Sequence, residues 1–272
     1  MQKLGCHLPI LGLFILIFLG SCSKFRKVQK SEDWKVKYDA ALEYYEKEDY
    51  YRASVLFEEI MPLVRGQKEG ELSQFYFSYC NYYQKQYQLS AYYFKSFFQT
   101  YSRSEYAQEA EYMSAYSLYR DSPIFNLDQT STKEAIEAMQ LFINRNPISK
   151  YLSQASEIIQ ELQIKLETKA YGNAKQYYKM GLFESAIIAF NNFAIDFPDS
   201  MFNEELEFLK FKSKYRMAEL SIPSKRAERF KETIEIYQGF LEDYPESEYL
   251  EEADRIYDNT VAALGKYNRV NP

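Results

Sequence analysis

A phrase of the form Pro-x-Ser-x-aromatic recurs along this chain, and it limits the possible folds more than any other feature. Proline ends a helix because it lacks a backbone N–H donor, and serine can then cap the helix that follows. Acidic residues in the next turn suit the positive end of a helix dipole. The phrase therefore predicts a helix end followed at once by a helix start. It occurs at 147–151, 198–202 and 245–249, and at 102–106 with Ser102 in place of the proline.

A second phrase, which alternates small and aromatic residues, precedes these stops. In its first copy Ala41 and Tyr44 are followed by Ala53 and Phe57, and a partial copy lies 37 residues later. Small residues let paired helices approach closely and aromatic residues fill the gaps between pairs, a pattern that resembles the tetratricopeptide repeat, or TPR. Glycine and proline, at 9 and 8 residues, are too scarce for an all-β fold. The aromatic residues that we expect inside the repeats are Tyr44, Phe57, Phe94, Tyr177, Phe190, Tyr237 and Phe240.

These phrases predict an all-α TPR superhelix with five helix-turn-helix repeats and a C-terminal capping helix near 248–265. Two repeats carry extra residues between their helices, at Asp121–Thr132 and at Ser221–Arg229, and we expect loops there. The expected repeats are 34–65, 71–104, 106–149, 152–200 and 203–247.

The start of the chain predicts export and lipidation. Lys3 precedes an apolar run at 8–19, which is shorter than a transmembrane helix of about 20 residues but fits a signal peptide. The following Leu-Gly-Ser-Cys at 19–22 resembles a lipobox, in which signal peptidase II cuts before Cys22 and the thiol carries a lipid with acyl chains such as palmitate. The alternative is an ordinary secretory signal with a chance cysteine. Ser23 replaces the aspartate that retains many lipoproteins in the inner membrane, which favours the outer membrane.

We therefore assign 1–21 to a signal peptide and 22–33 to a lipidated, flexible tether. The basic residues of the tether either contact anionic headgroups or are simply solvated.

Cleavage of the signal peptide removes side chains on which many catalytic and metal sites depend. Cys6 and His7 leave with the signal, so Cys80 is the one remaining free thiol and no histidine is left. Disulfides within the chain, Ser-His-Asp or Cys-His catalysis and histidine metal sites are thereby excluded. We expect no enzyme activity, no cofactor and no metal. The net charge of −6 also argues against nucleic acid, whose recognition needs a basic face.

Two further segments indicate one family. Residues 142–151 read Phe-Ile-Asn-Arg-Asn-Pro-Ile-Ser-Lys-Tyr, and Asp128-Gln129-Thr130 precedes the second helix of the third repeat. With the lipobox and the five repeats, they resemble the BamD family, the TPR lipoproteins of the outer-membrane β-barrel assembly machine. The resemblance implies a lipid-anchored, periplasm-facing scaffold of the outer membrane. Its partners would be the periplasmic domains of the barrel-forming BamA subunit and unfolded outer-membrane β-barrel proteins.

The resemblance also divides the roles of the repeats. The N-terminal repeats, 34–149, would receive unfolded barrel proteins, and the C-terminal half, 150–272, would bind the barrel-forming subunit. The alternative is another periplasmic TPR adaptor, similar to the Tol–Pal-associated coordinator of envelope constriction. That class usually has an N-terminal coiled coil and no lipid, whereas this chain has Cys22 and no heptad stretch before residue 34.

Aromatic residues on the first helices are the candidate substrate groove. TPR arrays bind ligands on the concave face that these helices line. Tyrosine offers apolar area and a hydroxyl donor at small entropic cost, and arginine can pair with a terminal carboxylate. The same stripe is also typical of packing between repeats, so both interpretations stay open. The candidate groove residues are Tyr38, Tyr45, Phe75, Tyr79, Tyr82, Tyr83, Tyr116, Tyr119 and Arg120, and the candidate partner contacts are Lys225, Arg226 and Arg229.

Overall fold

The computed structural model describes residues 24–270, with side chains up to residue 267. Within this range every regular element is helical, as predicted, and no helix is long and apolar enough to cross a membrane. Cys22 and the predicted signal peptide lie outside the described residues. A short helix at 24–29 is followed by α1 (Trp34–Glu46), α2 (Tyr50–Ile60), α3 (Lys68–Tyr83), α4 (Tyr87–Thr100), α5 (Ala107–Asp121), α6 (Thr130–Arg145), α7 (Leu152–Lys179), α8 (Phe183–Asp196), α9 (Asn203–Glu219), α10 (Pro223–Asp243) and α11 (Leu250–Val270).

The helices pair in chain order, as the repeats require. α1 packs on α2, α3 on α4, α5 on α6 and α9 on α10, while α11 packs on α10. α7 and α8 meet through Ala174 and Ala186 in one apolar cluster. Five helix pairs and a final helix thus confirm the predicted repeats. The chain divides into two compact units after Leu162, so α7 begins in the first unit and ends in the second.

Three of the turns inside the repeats share one backbone geometry. A residue with positive φ follows the first helix in each: Glu48 at 59°, Lys85 at 62° and Gly181 at 73°. The next N–H bonds back five residues, as Asp49 does to the carbonyl of Tyr44 at 2.9 Å. This is the Schellman arrangement, which satisfies carbonyls at the helix end. Only the third turn uses glycine, so the other two hold a side chain in a conformation that costs roughly 1–2 kcal/mol.

The aromatic residue of the recurring phrase explains why the phrase recurs. In each copy its ring packs on a ring from the first helix of the preceding pair. These contacts bury apolar rings at the start of each new repeat, and aromatic pairs at this range add to the energy of burial. The centroids are 4.7 Å apart for Tyr106 on Phe75, 4.2 Å for Tyr151 on Tyr112, 4.1 Å for Phe202 on Tyr171 and 4.7 Å for Tyr249 on Phe208.

The serine of the phrase caps a turn before the helix and not the helix itself. Ser200 Oγ accepts the N–H of Phe202 at 3.0 Å, one residue before α9 begins, and the other three copies form the same bond. The predicted cap is therefore displaced towards the N-terminus. Ser104 and Ser200 also donate their hydroxyls to Glu71 and Glu167, which ties the loop to the first helix of the preceding pair.

The two predicted insertions have different structures. Residues 122–129 form the expected loop between α5 and α6, where the Gln129 amide donates to the carbonyls of Ile124 at 2.9 Å and Leu127 at 3.1 Å. The loop expected at Ser221–Arg229 is wrong, because α10 begins at Pro223. Proline suits the first position of a helix, where its missing N–H would have no helical partner. The extra residues lengthen α10 to 21 residues instead.

One assignment of an aromatic residue to the interior, that of Tyr177, is wrong. Tyr177 is 43% exposed, and its neighbour Tyr178 packs on the cluster that contains Ala174. Tyr178, and not Tyr177, therefore occupies the interior position near the end of α7, which spans 28 residues. Of the other interior assignments, Phe57, Phe94, Phe190 and Phe240 are buried, and Tyr44 and Tyr237 are half-buried.

The expectation of a flexible tether is wrong for residues 24–29. This short helix packs Phe25 and Val28 on the apolar cluster of the first repeat. The Phe25 ring meets Tyr44 edge-on with centroids 5.7 Å apart, and the Gln29 amide donates to Glu59 at 2.9 Å. The first repeat therefore extends towards the N-terminus by one helical segment.

Candidate functional site

Tyrosine rings form a continuous row across the first three repeats. Tyr50 stacks on Tyr83 with centroids 4.4 Å apart, and Tyr83 meets Tyr82 at 5.5 Å. Tyr82 lies 6.0 Å from Tyr116, which lies 5.5 Å from Tyr119. We call this row the tyrosine face and define it as Tyr45, Tyr50, Tyr79, Tyr82, Tyr83, Tyr87, Tyr116, Tyr119 and Arg120.

Arg120 is the cation of the tyrosine face. Its guanidinium lies 6.0 Å from the ring centroid of Tyr82 and 5.4 Å from that of Tyr87. It donates to the hydroxyls of both rings, at 3.0 Å and 3.2 Å. The side chain is nevertheless exposed, and a guanidinium has five N–H donors in a planar fork. Arg120 can therefore hold its place against the rings and still donate to an anionic ligand.

Two glutamates fix the hydroxyls of other rings. Tyr79 donates to Glu109, and Tyr119 donates to Glu161 at 2.8 Å. Burial, and after it the bond to Glu109, raises the pKa of Tyr79 far above its ordinary value. Burial and the bond to Glu161 raise the pKa of Tyr119 to about 12. These tyrosines therefore stay protonated at neutral pH, and their hydroxyl hydrogens are donated to the two glutamates.

The structure brings together seven of the nine predicted groove residues, and Phe75 and Tyr38 are the exceptions. Phe75 is only 4% exposed and belongs to the apolar core, so its assignment to a groove is wrong. Tyr38 lies apart, with its ring edge-on to Phe57 at 6.5 Å. Tyr83, at 45% exposed, and Arg120 are the predicted residues that face solvent most openly. The remaining rings are half-buried and pack on one another, so packing and exposure are combined in the same residues.

Sequence reasoning missed Tyr50 and Tyr87. Each is the first residue of the second helix of its repeat, directly after the Schellman turn. Tyr50 supports the exposed Tyr83, and Tyr87 binds Arg120. The two are 37 residues apart, the same shift that relates the first two repeats, and this spacing was the available signal.

The predicted partner contacts in the second unit are mostly engaged within the chain. Arg226 donates to the carbonyl of Ser221 at 2.8 Å, and Arg229 donates to the Ser221 hydroxyl at 2.6 Å. Both arginines therefore stabilise the junction of α9 and α10. Lys225 is exposed on the first turn of α10.

A separate groove lies among α4, α5 and α6, with a volume of about 530 Å³. Its floor has small residues, among them Ala91, Ser114 and Ala115, and its walls carry Tyr92 and Leu141. None of the nine predicted groove residues lines it. The groove and the tyrosine face are therefore different surfaces of the first unit.

The described part of the chain has no cluster of residues that could hold a metal ion. Cys80 is fully buried, and burial raises the pKa of its thiol to about 12. The thiol is therefore protonated and inaccessible in the folded protein, as expected for a small core residue.

Comparison with known proteins decides the family. The family described as YfiO, outer membrane lipoprotein, matches residues 30–225, well over half of the chain. The chain belongs to this family. A relative in Aquifex aeolicus, provisionally named outer membrane protein assembly factor BamD, is 27% identical over 233 residues, which are 85% of this chain and 73% of the relative. A solved TPR repeats protein from Bacteroides fragilis is 13% identical, covering 86% of this chain and 100% of its own, with a TM-score of 0.38.

The YfiO match confirms the predicted family resemblance and supports association of the protein with the outer membrane, and the matched families are non-enzymatic. These matches favour the BamD-type interpretation over the Tol–Pal-type alternative. The match starts at residue 30, so it does not include Cys22.

Proposed function

We propose that this YfiO-family protein is a lipid-anchored, periplasm-facing scaffold that receives unfolded outer-membrane β-barrel proteins and binds the barrel-forming subunit of the assembly machine. Membership of the family supports the general role in outer-membrane protein assembly. The observation that supports a receptor for unfolded chains is the exposed Arg120 held between Tyr82 and Tyr87.

The chemistry of the tyrosine face suits a chain end that has aromatic residues and a free carboxylate. A carboxylate accepts two parallel bonds from the planar guanidinium of Arg120. An aromatic side chain near that end can pack on the exposed part of Tyr83, whose ring also stacks on Tyr50. Aromatic surfaces tolerate different sequences because they recognise apolar area and not one fixed side chain.

A peptide-binding measurement tests this role. The probe is a fluorescent peptide that ends in an aromatic residue with a free carboxylate, and its matched control is the same peptide with a C-terminal amide. We expect the amide to bind roughly fivefold more weakly, since an exposed ion pair contributes up to about 1 kcal/mol. Arg120→Gln should bind both peptides equally, at the level of the amide. Equal binding of the two peptides by the unaltered protein would remove Arg120 as a carboxylate receptor.

Further variants separate binding from folding. Tyr83→Ala should weaken both peptides and should lower the melting temperature much less than Phe75→Ala does, because Tyr83 is 45% exposed. Phe75→Ala should instead lower the free energy of unfolding by about 3–5 kcal/mol, as expected for truncating a buried aromatic residue. Arg103→Gln, on an exposed arginine in the loop before α5, is the charge control and should bind like the unaltered protein.

The scaffold role is tested by affinity purification from detergent-solubilised outer membrane. Recovery of a large barrel protein with periplasmic repeat domains is the expected result. Recovery of only Tol–Pal components would overturn the proposal in favour of an envelope-organisation adaptor.

A further inference from the structure

The short helix at 24–29 and the residue after it have two chemically different faces. Phe25 and Val28 point into the apolar cluster of the first repeat. The basic residues are all exposed: Arg26, Lys27 and Lys30 lie away from the cluster, whereas Lys24 lies at its edge, where it approaches Glu43 of α1. We call them the basic face, which consists of Lys24, Arg26, Lys27 and Lys30.

The contacts beneath this segment hold it in one position. Arg52 of α2 lies 5.7 Å from the ring centroid of Phe25 and 5.7 Å from that of Tyr44, so one cation binds both rings. On the other side Glu59 accepts from Gln29 at 2.9 Å and from Lys37 at 2.6 Å. The basic face is therefore fixed relative to α1 and α2.

The charges of the basic face are largely available. Arg26, Lys27 and Lys30 form no ion pair with the described residues. Lys24 reaches Glu43 only at 3.6 Å, and its side chain is 69% exposed. Asp33, which follows, is occupied as the N-cap of α1, where it accepts the N–H of Lys35 at 2.9 Å.

The sequence places a membrane next to this face if Cys22 is lipidated. Cys22 lies two positions before Lys24, and two residues span at most about 7 Å of extended chain. We propose that the basic face rests on anionic phospholipid headgroups and so sets the orientation of the first repeat at the bilayer. This inference goes beyond the proposed receptor role, and it is tested without any peptide or partner, so the two can fail separately.

Vesicle binding of the unlipidated mature chain, Cys22→Ser, tests the proposal. The chain should sediment with vesicles that contain phosphatidylglycerol and stay in solution with pure phosphatidylcholine, and added salt should release it. The triple variant Arg26→Gln/Lys27→Gln/Lys30→Gln should bind roughly 100-fold more weakly, since each basic residue near an anionic surface contributes about fivefold. The matched control is Lys68→Gln/Lys133→Gln/Lys179→Gln, which removes the same charge from exposed sites elsewhere.

Trp34 reports the orientation, because it is the one tryptophan of the chain and opens α1 beside the basic face. Lipids with a nitroxide on the headgroup should quench its fluorescence in the bound protein. Three results would each overturn the proposal: equal binding by the basic-face variant and the unaltered chain, equal loss in the two triple variants, or binding without quenching of Trp34. The last result would mean that another surface contacts the membrane.

Discussion

Replacing Tyr112 with phenylalanine should make the protein more stable. Tyr112 is 4% exposed, and its ring stacks on Tyr151 at 4.2 Å and meets Phe142 at 5.5 Å. Its hydroxyl is buried and has no hydrogen-bond partner among the described residues. A buried polar group without a partner costs about 1–3 kcal/mol, and Tyr112→Phe removes that group while keeping the ring.

We expect Tyr112→Phe to raise the free energy of unfolding by about 1 kcal/mol, the lower end of that range. For a protein of this size, the melting temperature should rise by roughly 2–4 °C. Thermal and urea unfolding followed by circular dichroism measure both quantities. The chain has two compact units, and Tyr112 belongs to the first. Where the units unfold in separate steps, the shift should appear in the step of the first unit.

Tyr79→Phe is the matched control, since it also removes one tyrosine hydroxyl. In Tyr79, however, that hydroxyl donates a hydrogen bond to Glu109. That variant should lose about 1 kcal/mol, because a bond to a charged acceptor is lost from a half-buried site. Opposite signs for the two variants are the expected result. An unchanged or lower stability for Tyr112→Phe would refute the reasoning and indicate that an ordered water satisfies the hydroxyl.

Two further predictions concern the thiol and one carboxylate. Cys80 should resist alkylation in the folded protein, since a pKa of about 12 leaves roughly one thiolate in ten thousand at pH 8; rapid labelling without denaturant, followed by mass spectrometry, would contradict its burial. Burial favours a higher pKa for Glu205, but hydrogen bonds from Lys175 and Tyr171 outweigh it, so the pKa is lowered. The stability from this lowered pKa is present above the ordinary value and is lost as the pH falls through the folded value. Glu205→Gln should therefore lose less stability than the unaltered protein between about pH 5 and pH 3. Parallel pH profiles of the two proteins in urea unfolding would show that the bonds of Glu205 to Lys175 and Tyr171 contribute nothing to this pH dependence.

The repeats could be predicted from sequence because each recurring phrase contains one side of a recurring contact. The proline or its substitute ends a helix, and the aromatic residue that follows packs on the preceding first helix, as Tyr151 does on Tyr112. The end of the helix depends on local sequence, whereas the ring contact also needs a partner outside the phrase. The same phrase could not reveal the partner ring, which lies between 31 and 41 residues earlier in the four copies.

The errors came from contacts that local sequence does not contain. Helical spacing placed Phe75 on the same stripe as Tyr79 and Tyr82, but only tertiary packing determines that Phe75 turns inwards. Proline is typical of a loop and equally suited to begin a helix, so local sequence does not show that Pro223 begins α10. The segment at 24–29 looked like a solvated tether because its charges outnumber its two apolar residues, whose partners Tyr44 and Arg52 come much later in the chain.

The bonds that hold Arg120 have a thermodynamic consequence for any ligand it binds. A free arginine on a helix surface samples many rotamers, and ordering one such side chain on binding costs about 0.5–1.5 kcal/mol. In this protein the hydroxyls of Tyr82 and Tyr87 restrict the guanidinium as part of the fold. Most of that entropy is therefore lost during folding and not during recognition. Loss of the two hydroxyls should thus weaken a ligand that touches neither of them, because a mobile Arg120 must be ordered again at each encounter.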